Sequence, residues 1–472
     1  MSREAFELDH VDQSYRDSIG TIGPDGKRKW VFPWKPKGKL YNLRTLLSVF
    51  YLIVLFTLPF LKYNGHPMFL FNVLERKFIL FGAIFWPQDL VIFGVAMITF
   101  VLFIVLFTVA FGRMFCGWVC PQTIFLEMVF RKIEYWIDGS ATQQKKLKDS
   151  SWTREKIIKR VLKHTVFYGI AFLISNTFLA YVIGVDKLFA IISEPVSQHV
   201  LGLTLILIFS GVFYFVFAWF REQVCIIACP YGRLQGVMLD RNSIVVAYDY
   251  IRGEPRGKIK KNAEEKQTGD CIDCGMCVKV CPTAIDIRNG TQMECVNCTA
   301  CIDACDEVME KVNRPKKLIK FASENAISKG HSKLFNWRTK AYSIVLVLLL
   351  VVLTALISTR KNIDTTILRS SGILYQQIDS VTYSNIYQFK TINKTYNDVE
   401  IDLKIVEPKG AIIRFVGNDL TVKAESKFDG QFFLILPIEK MTGHKTKVVI
   451  DVVEEGKAIE RIKTNFLGPI YP

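Results

Sequence analysis

Between Leu90 and Phe111 the chain runs for 22 residues without a charge. A helix needs roughly 20 apolar residues to cross the hydrocarbon of a bilayer. A Lys or Arg at its centre costs about 2.5–3.5 kcal/mol on insertion scales. Residues 45–61, 165–185, 200–220 and 341–359 share the character of the first stretch. Five transmembrane helices are therefore expected. The stretch 68–86 is also apolar, but Glu75, Arg76 and Lys77 interrupt it. It is expected to lie at the outer membrane interface with its aromatic residues among the headgroups, and not to form a sixth span.

Basic residues give the spans a direction. Lys27, Arg28, Lys29, Lys35, Lys37, Lys39 and Arg44 precede the first, and a run from Arg131 to Lys163 follows the second. The other two loops between the first four spans hold little beyond Arg76, Lys77 and Lys187. Basic loops stay in the cytoplasm, so the N-terminus is expected inside and the C-terminus outside. The net charge of +16 over 472 residues is then a topological bias, and nucleic acid is not expected as a partner. The first forty residues are polar and basic, so no secretory leader is expected.

The twelve cysteines are Cys116, Cys120, Cys225, Cys229 and eight between Cys271 and Cys305. Grouped cysteines, and none after Cys305, point to metal ligation on the reducing side of a membrane, not to a disulfide scaffold. Cys271, Cys274, Cys277 and Cys281 are followed by Cys295, Cys298, Cys301 and Cys305 at the same spacing. This is the ferredoxin spacing, in which the fourth cysteine of each run ligates the other cluster. Cys271, Cys274, Cys277 and Cys305 are expected to hold one [4Fe–4S] cluster, and Cys295, Cys298, Cys301 and Cys281 the second. Zinc also takes thiolates, but zinc ribbons use separate CxxC pairs.

The remaining four form a repeat, "FGRMFCGWVCP" from Phe111 and "FREQVCIIACP" from Phe220, each at the end of a span. Spacing i, i+4 puts both sulfurs of a pair on one helix face, and the following Pro tends to stop the helix. Three readings stand: packing, a redox or further cluster site, and soft-metal binding by thiolates. The histidines His10, His66, His164, His199, His331 and His444 have no paired spacing and are expected to be surface or interfacial residues.

After Arg360 the pattern changes to strict alternation, as in Tyr387, Phe389 and Thr391 and again in Val399, Ile401, Leu403 and Ile405. Short strands at such intervals predict an antiparallel sandwich. The expected order is a cytoplasmic segment 1–44, a four-helix membrane region 45–222 with a cytoplasmic loop 112–164, and a cytoplasmic region 223–338 carrying the cysteine module at about 262–312. The fifth helix, 341–359, leads to a periplasmic domain, 360–472.

With these residues assembled, the chain resembles the cytochrome c oxidase accessory proteins of the CcoG (RdxA, FixG) type, close to end to end. The matching pieces are "FWPQD" at Phe85, both CxxxCP boundaries, "CIDCGMCVKVCPTAIDIRNG" at Cys271, "CIDACDEVM" at Cys301 and "NIYQFKTINKT" at Asn385. The resemblance implies an α-helical polytopic membrane protein with an inserted α+β dicluster ferredoxin-like module and a C-terminal all-β immunoglobulin-like sandwich. It also implies a place in the bacterial inner membrane and a role in maturing cbb(3)-type oxidase, by reducing Cu(II) to Cu(I) as substrate. Copper would be held by Cys116, Cys120, Cys225 and Cys229. The implied partners are a cytoplasmic electron donor and oxidase subunits or copper-assembly proteins. Two other functions fit the same residues: a quinol-linked membrane polyferredoxin serving another reductase, and a scaffold for oxidase assembly.

Overall fold

The computed structural model describes residues 20–23, 25–258, 269–331, 336–370, 372, 374–417, 420–454 and 456–469. His10 and the start of the expected cysteine module at 262 lie outside the described residues. Among the described residues five helices are long and apolar enough to span a bilayer: Lys39–Phe60, Pro87–Phe111, Arg154–Ile183, Val200–Phe220 and Trp337–Ser358. The third begins well ahead of its apolar stretch, because the Thr153 side chain caps it by accepting from the Lys156 amide at 3.3 Å. Outward-facing side chains such as Leu90, Leu201 and Val351 are exposed, as lipid-facing surfaces require. The protein is a multi-pass membrane protein.

The chain divides into two compact units, Met1–Phe60 with Gly94–Val351 and Leu61–Phe93 with Val352–Pro472. In the first, Phe130 stacks on Phe217 at 4.8 Å and meets Phe167 edge-on at 4.8 Å. That aromatic core joins the third and fourth spans to the segment Phe125–Phe130. The cysteine-rich region is built on the short helices Met276–Lys279 and Ala300–Lys311, with an antiparallel pair of strands, Val245–Tyr248 and Ile319–Ala322, beside them.

The second unit is dominated by an antiparallel sandwich. One sheet runs in the order Ile412–Val416, Lys427–Pro437, Thr382–Asn393, Ile363–Arg369. The other runs Thr421–Val422, Val399–Glu407, Lys445–Glu454, Lys457–Leu467. Tyr387, Phe389, Ile401 and Leu403 all face its core, with Phe432, Leu434, Ile450 and Phe466. The period-2 alternation therefore selects one face of each strand.

Residues 68–86 form no membrane-crossing helix. They form a three-stranded antiparallel sheet, Phe69–Asn72, Lys77–Leu80 and Ala83–Phe85. Leu70, Ile79, Ile84 and Trp86 pack against Ile392 of the sandwich, so part of the apolar character serves a protein core, while Val73, Leu74 and Phe81 stay exposed. The charges that ruled out a span mark the hairpin turn, where Arg76 has φ 55°, and Lys77 is buried in a pair with Glu425. The "FWPQD" stretch completes this joint. Asp89 accepts from the Trp86 amide at 3.2 Å, from Arg360 at 2.9 Å and from Lys394 at 2.8 Å.

Candidate iron–sulfur and thiolate sites

The two cysteine runs fold as copies of each other. Asp273 and Asn297, each just before the second cysteine of its run, have φ 53° and 52°; Gly275 and Thr299, each just after it, have φ 67° and 66°. A β-branched residue is a real outlier there, and Thr299 holds the shape only because the loop requires it. Such turns line backbone N–H groups along a concave wall, a cradle suited to anions and iron–sulfur sites.

Two cavities lie inside. One is lined by Cys271, Cys274, Cys277 and Cys305, with Tyr248, Met309, Leu318 and Ile319. The other is lined by Cys281, Cys295, Cys298 and Cys301, with Cys277 at its edge. Each cavity thus gathers three cysteines of one run and the fourth of the other. Among the described residues no three His, Cys, Asp or Glu side chains close tightly enough for one metal ion. Thiolates at the corners of a four-iron cube stand farther apart than those around a single zinc, where each Zn–S bond is about 2.3 Å. The donor set and its cradle therefore fit [4Fe–4S] clusters.

Burial dominates the electrostatics. It pushes Cys277, Cys295 and Cys305 up to about 12 and Cys298 up to about 11. Thiols so placed stay neutral until a metal centre takes the place of their protons. The first cavity also carries a polar cage: Arg288 bonds Asp286 at 2.6 Å and Asp273 at 2.5 Å. Cys274 is its exposed ligand candidate.

The two CxxxCP turns do not place their sulfurs on one continuous helix. Cys116 sits in the short helix Met114–Trp118, whereas Cys120 is the N-cap of the next, Pro121–Ile124. Cys225 lies in the wide turn Val224–Ala228 and Cys229 caps Pro230–Met238. The cause is the proline, which drives the residue before it out of helical conformation: Cys120 has ψ 123° and Cys229 ψ 114°. The break lets the pairs face each other. Burial pushes Cys116 up to about 11 and Cys225 up to about 12, and Cys120 and Cys229 lie near enough to reinforce both shifts.

This thiolate group touches the second cavity's wall. Cys116 packs in one apolar cluster with Cys298, Val296, Val280 and Ala304, with Cys301 and Tyr231 at its edge. Gly117 makes the approach possible, since a Cβ there would stand 2.4 Å from the Val296 carbonyl oxygen. Trp118 Nε1 donates to the Asn297 carbonyl at 3.2 Å, and Arg44 Nε to that of Gly117 at 2.7 Å. Arg113 donates to the carbonyls of Met293 and, at 3.4 Å, Cys225. Sequence reasoning passed over Arg44, Gly117 and Asn297. Arg44 reads as a flank of the first span, and nothing local marks the other two as contacts.

A second polar feature lies beside the repeat. Arg221 makes a bidentate pair with Glu134 at 2.6 and 2.8 Å, Lys163 bonds Asp138 at 2.5 Å, and Arg131 lies 3.1 Å from Glu127 and 3.5 Å from Glu222. Burial acts against the Glu134 charge, yet Arg221, Lys163 and Arg131 hold its carboxyl down at about 2. Among the described residues the histidines take no part in either site: His66 stacks on Tyr396 and His164 bonds the Tyr214 hydroxyl at 2.8 Å.

Comparison with known proteins agrees with this geometry. Family models match at residues 220–324 (4Fe-4S dicluster domain), 93–139 (4Fe-4S binding domain) and 353–469 (the IG-like fold at the C-terminus of FixG). Protein RdxA of Cereibacter sphaeroides is 31% identical, over 93% of this chain and 97% of its own length. Protein RdxB of the same organism is 31% identical over 84% and 86%, and the nitrogen fixation protein FixG of Rhizobium meliloti is 35% identical over 63% and 58%. A crystal structure of a FixG-related protein from Vibrio parahaemolyticus matches 23% of this chain and 97% of its own, at 16% identity and a TM-score of 0.18. The chain belongs to the RdxA/FixG family and is an iron–sulfur electron-transfer protein of the membrane.

Proposed function

We propose that this protein reduces Cu(II) to Cu(I) at Cys116, Cys120, Cys225 and Cys229, for assembly of the copper centre of a cbb(3)-type oxidase in a bacterial inner membrane. Cys271, Cys274, Cys277 and Cys305 would hold one [4Fe–4S] cluster and Cys281, Cys295, Cys298 and Cys301 the other. When bound, such clusters supply one-electron storage between a reduced cytoplasmic carrier and the thiolates. The basic N-terminal segment and the basic run after the second span support a cytoplasmic position for both sites, with the sandwich on the periplasmic side.

The observation that carries the reading is the shared packing of Cys116 with Cys298 and Cys301. The chain's own work is to bury this junction and bring four sulfurs into one neighbourhood. Each Cu(II) takes one electron, and the soft Cu(I) that results suits thiolates better than the ion that entered. Donors on two separate turns can close on the ion as it changes.

The test uses anaerobic, dithionite-reduced protein freed of excess reductant, given Cu(II) and a Cu(I)-specific chelator. Wild type is expected to form Cu(I) rapidly, and the Cys225→Ser, Cys229→Ser double variant with its clusters intact to lose that rate. Equal rates would remove the thiolates from the mechanism. No Cu(I) with intact clusters would favour a quinol-linked carrier.

A second reading has its own support. The 4Fe-4S binding domain match at residues 93–139 contains Cys116 and Cys120, so the four sulfurs would hold a further cluster. Iron and sulfide content equal to three clusters, falling to two in the double variant, would favour it over copper.

A further inference from the structure

Two arginines stand out among the buried charges. Arg44 and Arg113 are 3% and 4% exposed. Among the described residues neither has a carboxylate within ion-pair distance, and Arg44 Nη2 and Arg113 Nε have no hydrogen-bond partner. A buried cation without a counter-charge is costly. Every other deeply buried arginine of this unit has one: Arg131 meets Glu127 and Glu222, and Arg221 meets Glu134.

The missing counter-charge is visible in what these arginines face. Arg113 lines one cavity together with Cys295 and Asn297, and Arg44 holds the carbonyl of Gly117, which abuts the Val296–Asn297 backbone between Cys295 and Cys298; both cysteines are in the wall of the second cavity. Arg113 also acts on Cys116 and Cys225. The carboxylate near Cys298, Glu127, is itself 3.1 Å from Arg131. The first cavity is the opposite case. Its Arg288 is neutralised by Asp286 and Asp273, and Asp306 adds negative charge at Cys305.

We propose that Arg44 and Arg113 are the protein's counter-charge to the Cys281/Cys295/Cys298/Cys301 site, and that they make it the more easily reduced of the two sites and the one from which electrons leave. A nearby cation stabilises the reduced, more negative state, and does so most strongly where the dielectric is low. The inference rests on the proposed electron-transfer reading and adds its direction. One electron enters at the Cys271/Cys274/Cys277/Cys305 site, on the side of exposed Cys274, from a reduced one-electron carrier. It passes to the second site and reduces one Cu(II) to Cu(I) at the thiolates, with no bond made or broken in the protein. Arg44 and Arg113 act through the ligand sphere and are positioning residues.

The test is an EPR-monitored redox titration of the full-length protein in detergent. Wild type is expected to show two separated [4Fe–4S] transitions. Arg113→Gln and Arg44→Gln should each move the higher-potential transition downward and leave the lower one in place, whereas Arg113→Lys should keep it high. Arg288→Gln should move only the lower one. Cluster content by iron and sulfide analysis shows that each variant is folded, and the Lys variant covers a Gln variant that is not. A shift of the lower transition by Arg113→Gln, equal shifts of both, or no shift in any folded variant overturns the proposal. Absence of any iron–sulfur signal in wild type would instead overturn the reading beneath it.

Discussion

The two CxxxCP turns are one backbone written twice with different chemistry. Counted back four residues from the first cysteine, Gly112 has φ 54° and Arg221 φ 53°. The amide of the second cysteine reaches five residues back in both, Cys120 to Phe115 at 2.9 Å and Cys229 to Val224 at 2.8 Å. The arginines that make the sequences look alike are not equivalent. Arg113 aligns with Glu222, and Arg221 aligns with a glycine. In the first turn the arginine faces sulfur, and in the second it faces carboxylates. A repeat conserves the turn that presents thiols, while the charges around it are free to divide the labour of redox tuning and anchoring.

The sharpest way to break that comparison is to remove both arginines separately. Arg221→Ala leaves Glu134 buried without its bidentate partner, and loss of one member of such a pair costs about 3–5 kcal/mol. Thermal unfolding in detergent should show the loss. Arg113→Gln removes hydrogen bonds to two carbonyls and should cost only about 1–2 kcal/mol, its main effect being on redox behaviour. Comparable losses in the two variants would mean that the arginines do the same job. Acid sharpens the point: the Glu134 carboxyl is held at about 2 against an ordinary 4.5. Its contribution is therefore complete above pH about 4.5 and fades as the pH falls through about 2. Glu134→Gln should flatten that part of the stability profile.

Next in size is the close approach made by the first turn alone. Gly117→Ala would put a Cβ 2.4 Å from the Val296 oxygen and 3.0 Å from Asn297, and backbone cannot give way as a flexible side chain does. Overpacking of this kind costs about 1–3 kcal/mol. The strain falls on the loop between Cys295 and Cys298, so the EPR signal of the second site should broaden or be lost while the first persists. The aligned position in the second turn is Ile226, and Ile226→Ala should leave both signals unchanged. Loss of both signals in Gly117→Ala would show that the turn supports the whole module.

Much of this was legible in the sequence for a definite reason. Spans, ferredoxin runs and sandwich strands are local patterns: a charge-free run, a spacing of three and four, an alternation of two. The paired cavities follow from the spacing, because three close cysteines need a distant fourth. What escaped reading is non-local. Within the apolar run 68–86, Trp86 and Ile84 find Ile392 only in three dimensions. Arg44 reads as topology, yet it sits 2.7 Å from the Gly117 carbonyl. The i, i+4 spacing of each cysteine pair suggested one helix face, whereas the proline after it breaks the helix at the second sulfur.

The smallest effect concerns what the second turn lends to the first. Tyr231, just after Pro230, packs at the edge of the Cys116 cluster, and its hydroxyl lies 2.7 Å from Thr108 Oγ1. The aligned residue in the first turn is Gln122. Tyr231→Phe keeps the ring and removes one bond between the two halves of the repeat. Thr108 still donates to the Ile104 carbonyl at 2.6 Å, so no buried donor is stranded, and the loss should lie at the low end of about 0.5–1.5 kcal/mol. Tyr231→Ala also removes the ring from beside Cys116 and should cost about 3–5 kcal/mol, the range for large aromatic truncations. If Tyr231→Phe lowered the rate of Cu(I) formation as far as Tyr231→Ala, the hydroxyl and not the packing would be what holds Cys116 against the cluster wall.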